Sequence, residues 1–465
     1  MMHCSPMLLV MLLTASIFVS QRAAYAADSP RPNVVVILTD DQGTLDVNCF
    51  GATDLHTPNL DRLAREGVRF TQAYAHMVCC PARAALMTGR HPQRGDVNDW
   101  TQGNLRARGG LNMALSEVTL AEALKSAGYR TALFGKWHLG AAADSGPTRQ
   151  GFDRFFGHRG GFIDNYKHFF LHQNGFHDLY EGTTEIFAEG EYFPEMNVAR
   201  ALKFLEQNRD APFFLFLPMN TPHYPEQPPA RHLERYADTP QPRRTYAAFV
   251  TTTDELIGRV LDKLDALELT DDTIVIFMSD NGHSTEQNAI DRDDHSSGLP
   301  KGHNYGANGG GGYTGPWIGH KATFFEGGVR VPAMIRYPAR LPRNEVRDQA
   351  VTIMDWHPTV LELCGVAPAT ELDGRSLLEV IASDKAPSPH PVLHFQWINS
   401  WAVRRGDWKL IHVQGRGEKS VGRDHLYNLA EEKPETIDHA DAEPRLVEHL
   451  RKLHDRWADD VFARP

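Results

Sequence analysis

The sequence predicts an α/β protein: a large, doubly wound, mixed but mostly parallel sheet flanked by helices, followed by a small C-terminal α+β domain. After their first residues, the runs 33–38, 212–217 and 273–278 are apolar at every position, which is typical of strands buried on both faces. These runs alternate with segments of helical periodicity, the rhythm of a doubly wound sheet. At 465 residues the chain is too long for one core, and its composition changes after about residue 381.

Local patterns define the elements of the large domain. Thr57 and Pro58 begin a helix that Gly67 ends, because Pro suits the first helical turn and Gly the position after the last. Thr119 and Glu122 form a capping box at the start of another helix. In chain order we expect strand 33–38, helix 57–67, a short helix from 79, helix 119–128, strand 129–134, helix 195–207, strand 212–217, helix 244–267, strand 273–278, strand 331–335 and helix 355–364.

The last part of the chain has a different pattern. Short alternating runs separated by tight turns predict an antiparallel sheet, and an amphipathic helix follows it. The strands are expected at 392–397, 402–405, 408–413 and 425–429, and the helix at 443–462. We therefore divide the chain into an N-terminal segment 1–26, a large domain 27–381 and a small domain 382–465.

The N-terminal segment is predicted to be an export signal. Residues 7–19 form an apolar run too short to cross a bilayer, and Ala24-Tyr25-Ala26 fits a small-x-small cleavage site. No later segment is apolar enough to span a membrane. We expect an exported protein in the periplasm, the exterior or a lysosome-like lumen.

Charge and cysteine content exclude several classes of protein. The formal net charge of −11 argues against a nucleic-acid-binding protein, which would normally have a basic surplus. Four cysteines follow the export signal, too few for a disulfide framework in a chain of this length: Cys49, Cys79, Cys80 and Cys364. The adjacent pair is exposed to oxidation in an exported protein unless one thiol is used or altered.

Clusters of polar residues follow four predicted strands. The carboxyl ends of parallel strands lie along one edge of a sheet, so these residues are expected to converge there. The clusters are Asp40 and Asp41, Lys136 and His138, His223, and Asp280 and Asn281. Lys136 and His138, two residues apart, would point the same way if their segment stays extended.

These residues indicate a metal site beside basic side chains. Carboxylate and amide oxygens suit a hard cation, Ca²⁺ or Mg²⁺, whereas zinc prefers His or Cys. Five side chains nearby carry or can acquire positive charge: Arg83, Lys136, His138, His223 and Lys321. Such an arrangement favours a substrate that is a tetrahedral oxyanion ester, a sulfate or a phosphate.

The segment from Cys79 to Arg90 predicts a loop that turns into a short helix. A helix start presents unpaired N–H groups and suits an anion. Taken alone, the two cysteines fit two interpretations equally well: a reactive thiol at an anion site, or a buried structural pair in front of a surface helix.

The pattern Cys79-x-Pro81-x-Arg83, followed by Leu86-Met87-Thr88-Gly89-Arg90, resembles the signature of the type I, formylglycine-dependent sulfatases of the alkaline phosphatase superfamily. The resemblance covers almost the whole chain after residue 26. Further matching positions are Asp40-Asp41, residues 135–140, Pro222-His223, residues 279–282, Lys321, residues 326–332 and Asp373-Gly374.

The resemblance implies that Cys79 is oxidised after translation to formylglycine (3-oxoalanine), whose hydrate is the nucleophile and forms a covalent sulfo-enzyme intermediate. One hydroxyl of a geminal diol can attack sulfur, and the other can expel sulfate by reforming the aldehyde. A sulfated thiol would lack that route. Cys80 then occupies a variable position, and Ala82 stands where the family often has serine.

The resemblance also implies a role for each polar residue. The metal, Ca²⁺ or Mg²⁺, would be held by Asp40, Asp41, Cys79 as the hydrate, Asp280 and Asn281, with Asp280 also placed to help deprotonate the attacking hydroxyl. Arg83 and Lys136 would steady the hydrate, and His138 would accept a proton during sulfate release. His223 and Lys321 would bind sulfate and protonate the leaving oxygen.

Two other functions are weighed against a sulfatase: a phosphodiesterase or phosphonate hydrolase of the same superfamily, and a catalytically silent protein that binds sulfated glycans. The expected substrate is a sulfated carbohydrate, a polysaccharide or glycosaminoglycan, because the loops at 94–110, 158–182 and 284–320 combine aromatic residues with His, Asn and Asp. The expected protein partner is a formylglycine-generating or anaerobic sulfatase-maturating enzyme that acts on Cys79.

Overall fold

The computed structural model describes residues 31–101, 112–142, 144–414 and 422–463. The predicted export signal at 1–26 lies outside these residues. None of the helices in the described part of the chain is long and apolar enough to cross a membrane.

Most strands belong to a central sheet, and the last four form a separate one. In chain order they are β1 (Asn33–Asp40), β2 (Val68–Tyr74), β3 (Arg130–Lys136), β4 (Arg154–His158), β5 (Phe169–Phe170), β6 (Phe176–His177), β7 (Tyr180–Glu181), β8 (Thr184–Glu185), β9 (Phe213–Pro222), β10 (Thr273–Ser279), β11 (Arg330–Arg336), β12 (Glu345–Arg347), β13 (Val351–Thr352), β14 (Leu393–Trp397), β15 (Ser400–Arg405), β16 (Trp408–Val413) and β17 (Arg423–Asn428).

The helices lie between these strands and at the end of the chain. They are α1 (Pro58–Arg65), α2 (Cys79–Thr88), α3 (Leu120–Ser126), α4 (Phe193–Asn208), α5 (Ala230–Arg235), α6 (Arg243–Ala266), α7 (Glu326–Val329), α8 (Trp356–Cys364), α9 (Leu378–Ala382) and α10 (Pro444–Val461). The predicted capping box of α3 is present, since the Thr119 side chain accepts from the backbone N–H of Glu122 and the Glu122 carboxylate accepts from that of Thr119.

The central sheet has eleven strands in the order β12-β2-β11-β10-β1-β9-β3-β4-β7-β8, with β13 also paired to β2. Its middle, β10-β1-β9-β3-β4, is parallel throughout. The strand β11 joins antiparallel to both β10 and β2, and β7 joins antiparallel to β4. The predicted mixed, mostly parallel sheet is confirmed.

Both faces of the sheet are covered. Val34 and Val36 belong to the core cluster that includes residues of α2, α3 and α8, whereas Val35 and Ile37 belong to the cluster with α1, α4 and α6. Successive side chains of a strand point to opposite faces, so an all-apolar strand is required here.

The strands β2 and β4 are not among the elements predicted from the sequence. The second residue of β2 is Arg69, and the first residue of β4 is Arg154. In β2, buried residues are interrupted by half-buried Arg69, Thr71 and Gln72. The strand β2 lies outside the parallel middle and β4 at its end, where polar residues are tolerated, but the same composition is common in loops.

The small domain contains the predicted antiparallel sheet, β14-β15-β16-β17, and the predicted terminal helix α10. One face of this sheet packs on α10 through Val403, Leu410 and Leu450. The other face contributes Phe395 and Ile411 to the core cluster of the large domain. The two parts therefore share buried apolar side chains, and the division at residue 381 stays a prediction.

A buried ionic network also joins the two parts. The Lys409 ammonium of β16 donates to Glu326 at 2.8 Å and to Glu435 at 3.0 Å. Tyr74 donates to the other carboxylate oxygen of Glu326 at 2.6 Å. The side chains of Lys409 and Glu326 are 0% exposed. Lys409 thus bridges two buried carboxylates, and Arg330 adds a second cation 3.4 Å from Glu326 Oε2.

Substitution Lys409→Met is expected to lower the free energy of unfolding by about 3–5 kcal/mol, because it removes the buried cation that bridges the Glu326 and Glu435 carboxylates. Urea unfolding followed by circular dichroism measures the loss. The matched control is Lys452→Met, which breaks a pair with Glu448 whose side chains are 65% and 64% exposed and which should cost about 0.5 kcal/mol or less. Equal losses in the two variants would contradict this prediction.

Candidate active site

Four adjacent parallel strands deliver the predicted site residues to one edge of the sheet. The strand β1 ends at Asp40, β3 at Lys136, β9 at Pro222 and β10 at Ser279. The residues that follow these ends come together, as the common position of the polar clusters predicts.

The oxygen-bearing residues form a compact group. The ligand atoms of Asp40, Cys79 and Asp280 lie within 4.8 Å of one another, and so do those of Asp40, Asp41 and His223. The Asn281 amide donates to Asp41 Oδ1 at 2.6 Å. The carboxylates and the amide are buried. The predicted metal ligands are therefore neighbours in space.

Burial and mutual repulsion disfavour ionisation of these carboxyl groups. Burial raises the pKa of Asp41 to about 7, with Lys321 opposing the shift and Asp40 and Asp280 adding to it. Burial, with a contribution from Asp40, raises the pKa of Asp280 to about 6 against the opposing effect of Arg83. The negative charges of these carboxylates are therefore only partly compensated by the neighbouring cations.

Two fixed cations face the acids from inside the protein. Arg83 donates to Asp280 Oδ2 from Nε at 3.0 Å and from Nη2 at 2.7 Å, and its Nη1 donates to the Lys136 carbonyl at 3.0 Å. Lys136 donates to Asp40 Oδ2 at 2.6 Å. Both cations are fully buried.

Cys79 is the first residue of α2, so the predicted loop-to-helix transition is confirmed. Arg83 lies one turn later, which places both side chains on the same face of the helix. Burial raises the pKa of the Cys79 thiol to about 11, although Lys136 and Lys321 lower it. All ten residues of α2 are buried, which excludes the alternative of a surface helix.

Cys80 points elsewhere. It belongs to the apolar core cluster on that face of the sheet, and its Sγ approaches the Asp99 carbonyl at 3.8 Å. The two adjacent thiols therefore lie in different surroundings, one at the polar site and one in the core.

His138 contacts Cys79 directly, with 3.2 Å between Nδ1 and Sγ. The segment from Lys136 to His138 does not stay extended, because β3 ends at Lys136 and His138 has a φ of 59°, so the condition for both side chains to point the same way is not met. A left-handed residue turns the chain, and Thr101 holds the turn by donating to the His138 carbonyl at 2.5 Å. Burial, followed by Lys136 and Arg83, lowers the pKa of His138 well below its usual value.

His223 and Lys321 form a pair on the other side of the site. The Lys321 ammonium lies 2.9 Å from Asp41 Oδ2 and 3.0 Å from His223 Nε2. Because an ammonium only donates hydrogen bonds, His223 Nε2 is the acceptor. The proton of the neutral His223 ring is then on Nδ1, which donates a hydrogen bond to the Tyr224 carbonyl at 2.5 Å. The proton between the two side chains thus resides on Lys321.

The donor set fits a hard divalent cation. Among the described residues, Asp40 Oδ1 and Asn281 Oδ1 are buried oxygens without a hydrogen-bond partner. A buried unpaired oxygen is costly, and coordination to a cation would satisfy it. Three carboxylates and one amide are oxygen donors of the kind Ca²⁺ and Mg²⁺ prefer.

Two of the three loops expected to contact substrate meet beside His223. Phe162 stacks on His223 with ring centroids 5.4 Å apart, and it contacts Tyr224 and Tyr305. Phe162 belongs to the loop at 158–182 and Tyr305 to that at 284–320, which contains one isolated bridge, Ala289–Asn304. The third loop, 94–110, is described only to residue 101.

Two residues at the mouth of the site are not among the predicted site residues. Trp100 stacks on His138 with centroids 6.2 Å apart and is 37% exposed. Glu286 lies 3.6 Å from the Lys321 ammonium. Both lie within the loops that the sequence indicates, but nothing in a polar, irregular loop predicts which residue turns towards the site.

Family models match most of the chain. The model described as Sulfatase matches residues 32–366, and that described as N-sulphoglucosamine sulphohydrolase, C-terminal, matches residues 317–460.

Individual proteins are similar over most of their length. N-acetylgalactosamine-6-sulfatase of Canis lupus familiaris is 32% identical over 409 residues, which cover 83% of this chain and 72% of the dog protein. Steryl-sulfatase of Mus musculus is 30% identical over an alignment that covers 86% of this chain and 73% of the mouse protein. The solved structure of Ps i-CgsB in complex with k-i-k-neocarrahexaose is 26% identical, with a TM-score of 0.77 and 92% of each chain covered. The chain therefore belongs to the sulfatase family and is a sulfuric ester hydrolase.

Proposed function

We propose that the protein hydrolyses sulfate esters of a sulfated carbohydrate, with residue 79 converted to formylglycine and with Ca²⁺ or Mg²⁺ bound at the acidic cluster. One observation carries the proposal. Cys79 begins a fully buried helix at the point where Asp40, Asp280 and His138 meet. A nucleophile placed there would face both the acidic cluster and a neutral base.

The cation would be held by Asp40, Asp41, Asp280 and Asn281 together with the converted residue 79. When bound, it would act as a Lewis acid that offsets negative charge on the sulfate oxygens. Arg83 and Lys136 would also offset this negative charge. Both side chains are held in fixed positions by buried carboxylates. Preorganised charge of this kind needs no rearrangement during the reaction.

The conversion of Cys79 gives the site a route for sulfate release. The hydrated aldehyde carries two hydroxyl groups, one that attacks sulfur and one that loses its proton when the carbonyl reforms and sulfate departs. His138 is suited to take that proton, since its Nδ1 lies 3.2 Å from Cys79 Sγ and its buried imidazole is neutral.

The leaving oxygen would receive its proton from the pair on the opposite side. Lys321 carries a proton that it shares with His223 Nε2 at 3.0 Å. As the ester bond breaks, negative charge grows on the leaving oxygen, and a donor within hydrogen-bond reach lowers the barrier. Because Nε2 of His223 accepts from Lys321 in this tautomer, Lys321 would be the immediate donor, and His223 would bind sulfate only in its protonated form.

A carbohydrate substrate is supported by the composition of the mouth. Trp100 is 37% exposed beside His138. Aromatic rings stack on the apolar face of a sugar, while His, Asn and Asp in the same loops can bind its hydroxyl groups. The names of two similar proteins agree with this substrate class. One is an N-acetylgalactosamine-6-sulfatase, and the other is Ps i-CgsB, whose structure was solved in complex with k-i-k-neocarrahexaose.

We also propose that the protein is exported and matured by a second enzyme. Residues 1–26 have the pattern of a cleavable signal. A formylglycine-generating or anaerobic sulfatase-maturating enzyme would be the partner that acts on Cys79.

Substitution Cys79→Ala is expected to abolish sulfatase turnover, because it removes the precursor of the nucleophile, while Cys80→Ala retains turnover because its thiol lies in the core. Hydrolysis of 4-nitrophenyl sulfate measures both. Mass spectrometry of the wild-type peptide that contains residue 79 should show loss of the thiol and gain of an aldehyde. Intact cysteine in fully active enzyme would refute the mechanism, and glycan binding without turnover would instead support a silent binding protein.

Removal of metal is expected to destabilise the protein, because Ca²⁺ offsets repulsion among three buried carboxylates. Adding Ca²⁺ to chelator-treated protein should raise the melting temperature, with stabilisation of about 2.7 kcal/mol at 100 times Kd. Asp280→Asn should shrink that shift, whereas Asp271→Asn, at a side chain 79% exposed, should leave it unchanged. A melting temperature that neither Ca²⁺ nor Mg²⁺ alters would contradict the assignment.

Sulfated oligosaccharides are expected to be better substrates than aryl sulfates, because only a sugar can use the loops around the mouth. Sulfate release from a panel of sulfated oligosaccharides, compared with 4-nitrophenyl sulfate, measures kcat/KM for each. At least one saccharide should exceed the aryl sulfate tenfold or more. Turnover of the aryl sulfate with none across the panel would rule out the carbohydrate.

A further inference from the structure

The long loop at 284–320 places one carboxylate at the mouth of the site. Glu286 Oε2 lies 3.6 Å from the Lys321 ammonium, and the Glu286 side chain is 46% exposed while that of Lys321 is 6% exposed. The acids Asp40 and Asp41 are buried, whereas Glu286 is a more exposed acidic side chain in contact with Lys321.

Local contacts hold Glu286 in this position. Ser284 Oγ donates to Glu286 Oε2 at 3.1 Å and accepts from the Glu286 backbone N–H at 3.2 Å. The Glu286 carbonyl accepts from Ala307 at 2.7 Å, which ties together two distant parts of the loop. The carboxylate is therefore fixed by the loop and is not a freely mobile surface group.

The neighbours of Glu286 also keep it ionised. Although burial works in the opposite direction, Lys321 and a hydrogen bond from Tyr224 lower the pKa of Glu286. Tyr224 is itself held by His172 and Phe162 in the aromatic cluster beside His223. At neutral pH the mouth thus presents a negative charge next to the residue that would contact the scissile sulfate.

We propose that Glu286 is a specificity-determining residue that selects a sugar with a hydroxyl or amide N–H beside the scissile ester and rejects one with a second sulfate or a carboxylate there. This inference rests on the proposed function, in which Lys321 contacts the scissile sulfate. Because Glu286 lies 3.6 Å from the Lys321 ammonium, a group on the ring atom next to that ester would come near its carboxylate.

The physical basis is the difference between a donor and an anion at one position. An ionised carboxylate only accepts hydrogen bonds, so a sugar hydroxyl or amide can satisfy it. A second sulfate or a uronic carboxylate brings like charge and no donor, and like charges at short range in a partly buried site repel strongly. Specificity then arises from rejection of the wrong substituent as well as from recognition of the right one.

The test compares wild type with Glu286→Gln on two saccharides of the same backbone, one singly sulfated and one with a second sulfate on the adjacent carbon, and on 4-nitrophenyl sulfate. The ratio of kcat/KM for the singly and doubly sulfated saccharides should fall at least tenfold in the variant. Turnover of 4-nitrophenyl sulfate, which lacks the adjacent hydroxyl, should change by a smaller factor than that ratio.

Two further variants complete the comparison. Glu286→Lys should invert the preference, so that the doubly sulfated saccharide becomes the better substrate. Asp293→Asn removes the same charge from the same loop at a side chain 87% exposed, and should leave the ratio as in wild type. Melting temperatures should match between wild type and Asp293→Asn, whereas Glu286→Lys, which brings a second ammonium towards Lys321, is compared only after its fold is confirmed by circular dichroism.

Each contrary outcome has a distinct meaning. An unchanged ratio in an active Glu286→Gln enzyme would overturn the inference alone. Equal losses on all three substrates, with a shifted pH profile for 4-nitrophenyl sulfate, would also overturn it and make Glu286 a positioning residue for Lys321. Wild type that hydrolyses none of the three sulfates would overturn the proposed function, and this inference with it.

Discussion

Buried charge compensation at one edge of the sheet is the constraint on which the rest of the structure depends. Three carboxylates, those of Asp40, Asp41 and Asp280, lie out of reach of water, and isolated carboxylates cannot be buried without partners. Their cations come from three separate places: Arg83 from α2, Lys136 from β3 and Lys321 from the segment after the long loop. The site therefore forms only when three features of the fold are correct together. These are the strand order β10-β1-β9-β3, the packing of α2 on the sheet and the path of the loop at 284–320.

The sequence predicted the parallel centre and most of the site because both have strong local patterns. Apolar runs such as that before Asp40 identify strands buried on both faces, and polar residues directly after them identify the edge where they meet. Strand β2 was missed because Arg69 and Gln72 interrupt its pattern where burial is partial. The direction of His138 depends on a left-handed backbone that Thr101 stabilises from another part of the chain. Glu286 is positioned by Ser284 and distant Ala307, so local sequence cannot identify it.

The small domain contributes to the surroundings of the site as well as to the core. Trp397, the last residue of β14, packs edge-on against Trp100 with ring centroids 5.2 Å apart, and Trp100 stacks on His138. The backbone N–H of Ile398 donates to the Asn98 carbonyl at 3.1 Å and fixes the same segment. Docking of the small domain thus supports one wall of the mouth, while the loops at 158–182 and 284–320 form the wall beside His223.

The complete burial of α2 has a consequence for how the protein is made. Cys79 is 2% exposed and the nine residues after it are buried with it, so the folded protein offers no stretch of chain that another enzyme could grip around this thiol. If Cys79 is the residue that is oxidised, the oxidation and the docking of α2 compete in time, and whichever comes first decides the outcome. A chain that folds too quickly would keep its thiol permanently, as a stable but inert product. The yield of active protein would then be set by the rate at which α2 packs, a kinetic property of folding.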